Sequence, residues 1–209
     1  MGAFSHVVRV YLLDDQEILR KGLRELVSLQ PDMLIVGESG SARSAARSIP
    51  EIRPDVVLLD LNLQDGSGIH VCRGARSTDP SIRGVLLTAA GDDEAMIATL
   101  LAGAAVFVPK LARGDAVVEA IRRAAAGRPQ LDARAVETAS ARLLALLDGH
   151  VPAFDDTERA AVEMLLRGRT DTEITAETRV SPARVADLIT TLRELATQPP
   201  TGGYDSRPF

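Results

Sequence analysis

Five polar residues in this chain stand where they could do phosphoryl chemistry together: Asp14, Asp15, Asp60, Thr88 and Lys110. Each ends or closely follows a short aliphatic run. Clustered carboxylates repel one another and make a hard oxygen site of the kind Mg²⁺ occupies, where the metal bridges protein carboxylates to phosphate. A carboxylate can then attack phosphorus, with the metal and a lysine stabilising the oxygens of the transferring group by charge. In this scheme Asp60 accepts a phosphoryl group, Thr88 supplies a hydroxyl donor and Lys110 a point charge. Taken singly, each is an ordinary turn, cap or surface residue. Their joint occurrence at successive strand ends points to a site. Lys110 carries extra weight because it and Lys21 are the only lysines in a chain that otherwise uses arginine.

Such a site needs strands that run in parallel and end at one edge. Val56 to Leu59 is apolar without alternation, which predicts a strand buried on both faces, entered at Pro54 and ending at Asp60. The turn-forming run Gln64-Asp65-Gly66-Ser67-Gly68 follows. Val7 to Leu13, Met33 to Val36, Val85 to Thr88 and Ala105 to Val108 predict four more strands. Between them, helical spacing marks Ile18 to Val27, Ser41 to Ile49 with Ser41 as N-cap, and Ile69 to Ser77 with Val71 and Cys72 inward. Two more helices are predicted, one starting at Gly91-Asp92-Asp93-Glu94 and one from Asp115 to Ala126, stopped by Gly127. Five strands alternating with five helices predict an open, doubly wound parallel α/β sheet with its site at the carboxyl edge. Further on, Leu131 to Leu147 suits a linker helix, and Asp156 to Leu166, Asp171 to Glu177 and Pro182 to Ala196 suit three short helices. Tight turns at Gly168 and at Val180-Ser181-Pro182 predict a helix-turn-helix, with Val185, Leu188, Ile189, Leu192 and Leu195 as the apolar stripe of its last helix.

Composition excludes several classes. No apolar run approaches the roughly 20 residues that span a bilayer, and the start lacks a basic segment followed by an apolar one, so a cytoplasmic protein is expected. The single cysteine, Cys72, excludes an internal disulfide and reads as a buried helix residue. Net charge is -5; residues 1–150 carry 17 basic against 19 acidic side chains, and residues 151–209 carry 7 against 10. Neither part has the excess of cations on which nonspecific nucleic-acid affinity rests.

Leu13-Asp14-Asp15-Gln16, Leu58-Leu59-Asp60-Leu61, Asp65-Gly66-Ser67-Gly68, Leu87-Thr88-Ala89 and Gly103 to Lys110 resemble the receiver domain of two-component response regulators. Glu158-Arg159, Gly168, Asp171, Glu173-Ile174, Val180-Ser181 and Val185 resemble the LuxR-type helix-turn-helix, so the whole is similar to the NarL/FixJ family. The resemblance implies a flavodoxin-like receiver at 1–128 and a small all-α LuxR-type helix-turn-helix at 153–197; the linker helix then takes 129–152, and the Pro- and Gly-rich composition of 198–209 predicts a disordered tail. It implies Asp60 as phosphoacceptor, and Mg²⁺ held by Asp14, Asp15, Asp60 and the backbone carbonyl of Asn62. Thr88 and Lys110 would bind the phosphoryl oxygens, with Phe107 as the switch aromatic; a plain core Phe is the other reading of that position. The implied partners are a sensor histidine kinase and DNA. The sequence departs from the family pattern at Gln64 and Pro109.

Ala183, Ala186 and Asp187 stand in the last helix where relatives commonly present Lys, Lys and Asn. Arg184, Thr190, Thr191 and Arg193 remain as candidate DNA contacts. The alternative is a receiver whose helix-turn-helix binds a protein. A homodimer would have to use the receiver or the linker helix, since Gln198 to Gly203 cannot continue as a helix. An aspartyl-phosphate hydrolase is not expected, because Asn62 stands two residues after the nucleophile, where such enzymes need an acid.

Overall fold

In this computed structural model, which describes residues 7–89, 92–130, 133–148 and 154–197, the aliphatic runs lie at the centre. The chain forms β1 (Val8–Leu13), α1 (Glu17–Ser28), β2 (Met33–Ser39), α2 (Ala42–Ile52) and β3 (Val56–Asp60). A two-strand hairpin of β4 (Asn62–Leu63) and β5 (Gly66–Ser67) precedes α3 (Gly68–Thr78), β6 (Arg83–Thr88), α4 (Asp92–Ala102), β7 (Val106–Pro109) and α5 (Gly114–Ala125). The C-terminal helices are α6 (Ala133–Asp148), α7 (Asp156–Leu166), α8 (Asp171–Thr178) and α9 (Pro182–Thr197). The main sheet is parallel, in the order β2-β1-β3-β6-β7. Strand order reverses across β1 and β3, which makes the carboxyl edge there the crevice of a doubly wound fold.

Alternation along the buried strands divides the core in two. Val10, Leu12, Leu58, Val85 and Val108 face α1 and α5, where they meet Leu23, Val27, Val117 and Ile121. Tyr11, Leu13, Val57, Leu59 and Leu86 face the other way, onto Ile49, Ile69, Cys72 and Leu101. That second cluster continues without a break into Leu143, Leu165, Val185, Ile189 and Leu192, so the C-terminal helices pack on the α3–α4 side of the sheet. Asp155 with Glu158, and Thr170 with Glu173, form capping boxes that start α7 and α8. Arg179, at φ 63°, ends α8 in the left-handed region and turns the chain into α9.

Two elements differ from the sequence expectation. The register shift between Val10 and Tyr11 puts a bulge at Val36 and lets Gly37, Glu38 and Ser39 pair with Tyr11, Leu12 and Leu13, so β2 runs past Val36. The run after Asp60 is a hairpin, with Asn62 opposite Ser67 and Leu63 opposite Gly66, and not a turn alone. The disordered tail expected at 198–209 and the end of the expected linker, 149–152, lie outside the described residues. No helix among the described residues is long and apolar enough to cross a membrane.

Candidate functional site

Parallel register carries the chemistry to one edge. Leu13 lies opposite Leu59, Asp60 opposite Leu87 and Thr88 opposite Pro109, so the residues that end or follow these strands converge. Lys110 Nζ lies 2.7 Å from Asp60 Oδ2 and 3.0 Å from Asp14 Oδ2. One oxygen from each of Asp14, Asp15 and Asp60 lies within 4.8 Å of the other two. Asp14, Asp60 and Thr88 are buried, while Asp15 is half-buried at the rim. The Thr88 carbonyl accepts the Lys110 N–H at 2.8 Å, which fixes the start of the loop that carries the lysine.

Hydrogen bonds account for most of the carboxylate oxygens. Asp14 Oδ1 accepts the Gln16 N–H at 2.8 Å, Asp15 Oδ2 the Gln64 N–H at 3.2 Å, and Asp60 Oδ1 the Asn62 N–H at 3.2 Å. Asp14 Oδ2 is buried and, although Lys110 Nζ is 3.0 Å away, takes part in no aligned hydrogen bond among the described residues. A buried anionic oxygen with unused lone pairs, beside two further carboxylates, is a donor set that fits a hard divalent cation. Burial pushes the Asp60 carboxyl above the usual range, against the Lys110 and Asn62 hydrogen bonds that favour its charged form. Burial also works against the Lys110 ammonium, but its hydrogen bond to Asp60 and the nearby charges of Asp60 and Asp14 outweigh this and hold its pKa above the ordinary value. Gly68 opens α3 so close to β3 that a Cβ there would collide with the Asp60 carbonyl oxygen, so the backbone behind the site requires glycine.

Phe107 is half-buried on β7 against the α4-side cluster, and its N–H donates to Gln130 Oε1 at 2.8 Å. The four residues singled out on the last helix are all engaged. Arg184 is paired with Glu158 at 2.6 Å, and Thr190 and Thr191 bond back to the carbonyls of Ala186 and Asp187. Arg193 Nη2 donates to Asn62 Oδ1 at 2.6 Å and lies 3.7 Å from Glu94. It thus belongs to the rim of the carboxylate site, which sequence reasoning missed. Arg73 was missed too. Only 1% exposed, it bonds Asp171 at 2.6 Å and the carbonyls of Leu101 and Arg169 at 2.9 and 2.8 Å. No local pattern announces either contact, since the partners are 131 and 98 residues apart. Cys72 is buried as expected, and burial pushes its thiol up to about 11, so it is inert as a nucleophile.

A doubly wound five-stranded sheet with three aspartates, a threonine and a lysine gathered at its carboxyl edge defines a receiver domain. Residues 10–122 match the family described as the response regulator receiver domain. The chain is 38% identical over 170 residues to the DNA-binding transcriptional activator DevR/DosR of Mycobacterium tuberculosis, covering 80% of this chain and 78% of that protein. It is 30% identical over 192 residues to the transcriptional regulatory protein LiaR of Bacillus subtilis, covering 89% of each. Among solved structures, a LuxR-family two-component response regulator from Aurantimonas sp. SI85-9A1 superposes with a TM-score of 0.57 at 29% identity, covering 66% of this chain and 99% of that one. The chain belongs to the NarL/LuxR family of two-component response regulators, in which phosphorylation of a receiver controls transcription.

Proposed function

We propose that Asp60 accepts a phosphoryl group from a sensor histidine kinase and that this modification controls binding of the helix-turn-helix to DNA. The observation that carries the reading is the convergence of Asp14, Asp15 and Asp60, with oxygens within 4.8 Å of one another, and of Lys110, paired with Asp14 and Asp60, at one sheet edge. An Asp60 oxygen attacks phosphorus, the bond from phosphorus to the donor breaks, and the donor leaves with the electron pair. Asp14, Asp15, Asp60 and the Asn62 carbonyl would hold Mg²⁺, which supplies positive charge to the phosphoryl oxygens. Lys110 pairs with the same oxygens after giving up part of its contact with Asp60. Thr88 donates its hydroxyl, and Phe107 follows it as the switch aromatic.

The division follows the same logic: a receiver over 1–128, a linker over 129–152 and a LuxR-type output domain over 153–197. In the described arrangement α9 lies against the receiver and Arg193 is bound to Asn62. This is the resting state, and DNA contact by Arg184, Thr190, Thr191 and Arg193 requires α9 to leave. To move such an equilibrium from 1:99 to 99:1, phosphorylation must favour the released state by about 5.5 kcal/mol. The description of the mycobacterial relative as DNA-binding supports this output over a protein-binding one. Intact-mass spectrometry after treatment with acetyl phosphate and Mg²⁺ tests the acceptor. Wild type should gain one phosphoryl group, about 80 Da, and Asp60→Asn none; an adduct that persists in the variant overturns the assignment.

A further inference from the structure

Each carboxylate oxygen of Asp60 accepts a hydrogen bond. Oδ2 is held by Lys110 Nζ at 2.7 Å and Oδ1 by the Asn62 N–H at 3.2 Å. A hydrogen bond leaves each oxygen a lone pair but draws electron density from it, so attack on phosphorus is faster from an oxygen whose bond has loosened. The Lys110 bond is an ion pair with a 4%-exposed carboxylate, so the Asn62 bond is the easier to give up. Asn62 is not free to move, however. Its side chain is fixed at 2.6 Å by Arg193, which comes from α9, and the same guanidinium lies 3.7 Å from Glu94 in the first turn of α4. One cation of the C-terminal region therefore ties together the segment that follows Asp60 and the helix that follows the Thr88 strand.

The tether is built to release. Beside Arg193, a cavity of about 580 Å³ opens between α3, α4 and α9, lined by Ser67, His70, Glu94, Ile189 and Thr190. The Arg193 side chain is 27% exposed. The guanidinium has both room and water to move into, and its departure needs no core residue to shift.

We propose that Arg193 is a positioning residue of the phosphorylation reaction, supplied by the output helix. By anchoring the Asn62 side chain it keeps the Asn62 N–H on Asp60 Oδ1 and slows attack by that oxygen. When α9 leaves, or Arg193 finds another anion, the segment relaxes and Asp60 reacts faster. The output helix thus acts back on the site that controls it. This rests on the reading of Asp60 as the phosphoacceptor.

The test is the rate at which the phosphoryl adduct builds up on the full chain in acetyl phosphate and Mg²⁺. Arg193→Met keeps the stem and removes the donors; it should phosphorylate about five-fold faster than wild type, the factor expected for a partly exposed charged hydrogen bond. Arg193→Lys, which retains a donor, should return most of the way to the wild-type rate. Asn62→Ala should be fast by itself, and Arg193→Met should add nothing in that background. An unchanged or slower rate in Arg193→Met overturns the inference while leaving the acceptor assignment intact. So does an acceleration that persists undiminished when Asn62 is already alanine, because Arg193 would then act by another route. Absence of any adduct in wild type overturns the acceptor reading and this inference with it.

Discussion

At the scale of single residues, Lys110 is the hinge of the site's electrostatics. It holds together two carboxylates whose side chains are 0% and 4% exposed. Removing one partner from a buried ionic group leaves uncompensated charge, and here two like charges would be left facing each other. Lys110→Met should lower stability by about 3 kcal/mol, read as a shift in the urea midpoint. If Asp14, Asp15 and Asp60 form a cation site, Mg²⁺ supplies the charge that the lysine no longer does. Millimolar Mg²⁺ should then raise the melting temperature of Lys110→Met by more than that of wild type. Equal stabilisation of the two proteins would count against a shared site. The burial that makes the lysine necessary also raises the Asp60 pKa, and the Lys110 and Asn62 hydrogen bonds work against that rise.

At the scale of elements, the sheet edge is only as well placed as the helices that brace it, and α5 is braced by a bidentate pair. Arg122 Nε and Nη2 reach Asp32 Oδ2 and Oδ1 at 2.8 and 2.9 Å, joining α5 to the turn before β2. The Arg122 hydrogen bond holds the Asp32 carboxyl below its usual range, against the cost of burial. A carboxylate with a lowered folded pKa stabilises the fold fully above its unfolded value of about 3.9, and loses that contribution as pH falls through the folded pKa. Arg122 is 41% exposed, so the pair is worth no more than about 1 kcal/mol at pH 7. Asp32→Asn should show that deficit in urea unfolding at pH 7 and progressively less of it below about pH 3.9; a deficit independent of pH would mean that packing, not charge, matters there. Elements of this kind were legible because burial imposes a pattern. Val56 to Leu59 is apolar throughout, and a polar residue ends it where the core ends. The β4–β5 hairpin was not legible, since two residues per strand carry no periodicity, and β2 outran its apolar run because a bulge at its own Val36 lets Gly37 to Ser39 go on pairing with β1. The site's members lie at strand ends and were readable for the same reason, but its rim was not. Arg193 reaches it through tertiary packing from 131 residues away, and on its own helix it looks like any solvated arginine.

At the scale of the whole molecule, the question is what holds the C-terminal helices against the receiver in one pose. The apolar part is continuous with the receiver core through Leu101, Leu143 and Ile189, but apolar burial is non-directional and does not choose one docking pose. The polar part does. Arg73 spends its donors on Asp171 and on two carbonyls, one in α4 and one in the turn before α8, while Ser77 Oγ accepts the Asp171 N–H at 3.1 Å. Arg76 Nη2 adds a bond to the Gly168 carbonyl at 3.1 Å, while its Nη1 is buried with no hydrogen-bond partner among the described residues. Losing one member of a buried ion pair costs about 3–5 kcal/mol when the other stays buried. Arg73 has an escape, because undocking returns it to water, so the penalty cannot exceed the docking free energy itself. Asp171→Ala should therefore populate the undocked form and leave the receiver's own stability untouched. Amide exchange measures this directly. Protection at the N-terminus of α8 and in the second half of α3 should fall at least about ten-fold, the equivalent of 1.4 kcal/mol, while amides in β1, β3 and β6 keep the wild-type rate. Faster exchange in those strands as well would make Arg73 a support of the receiver core and not a latch between the two halves of the chain.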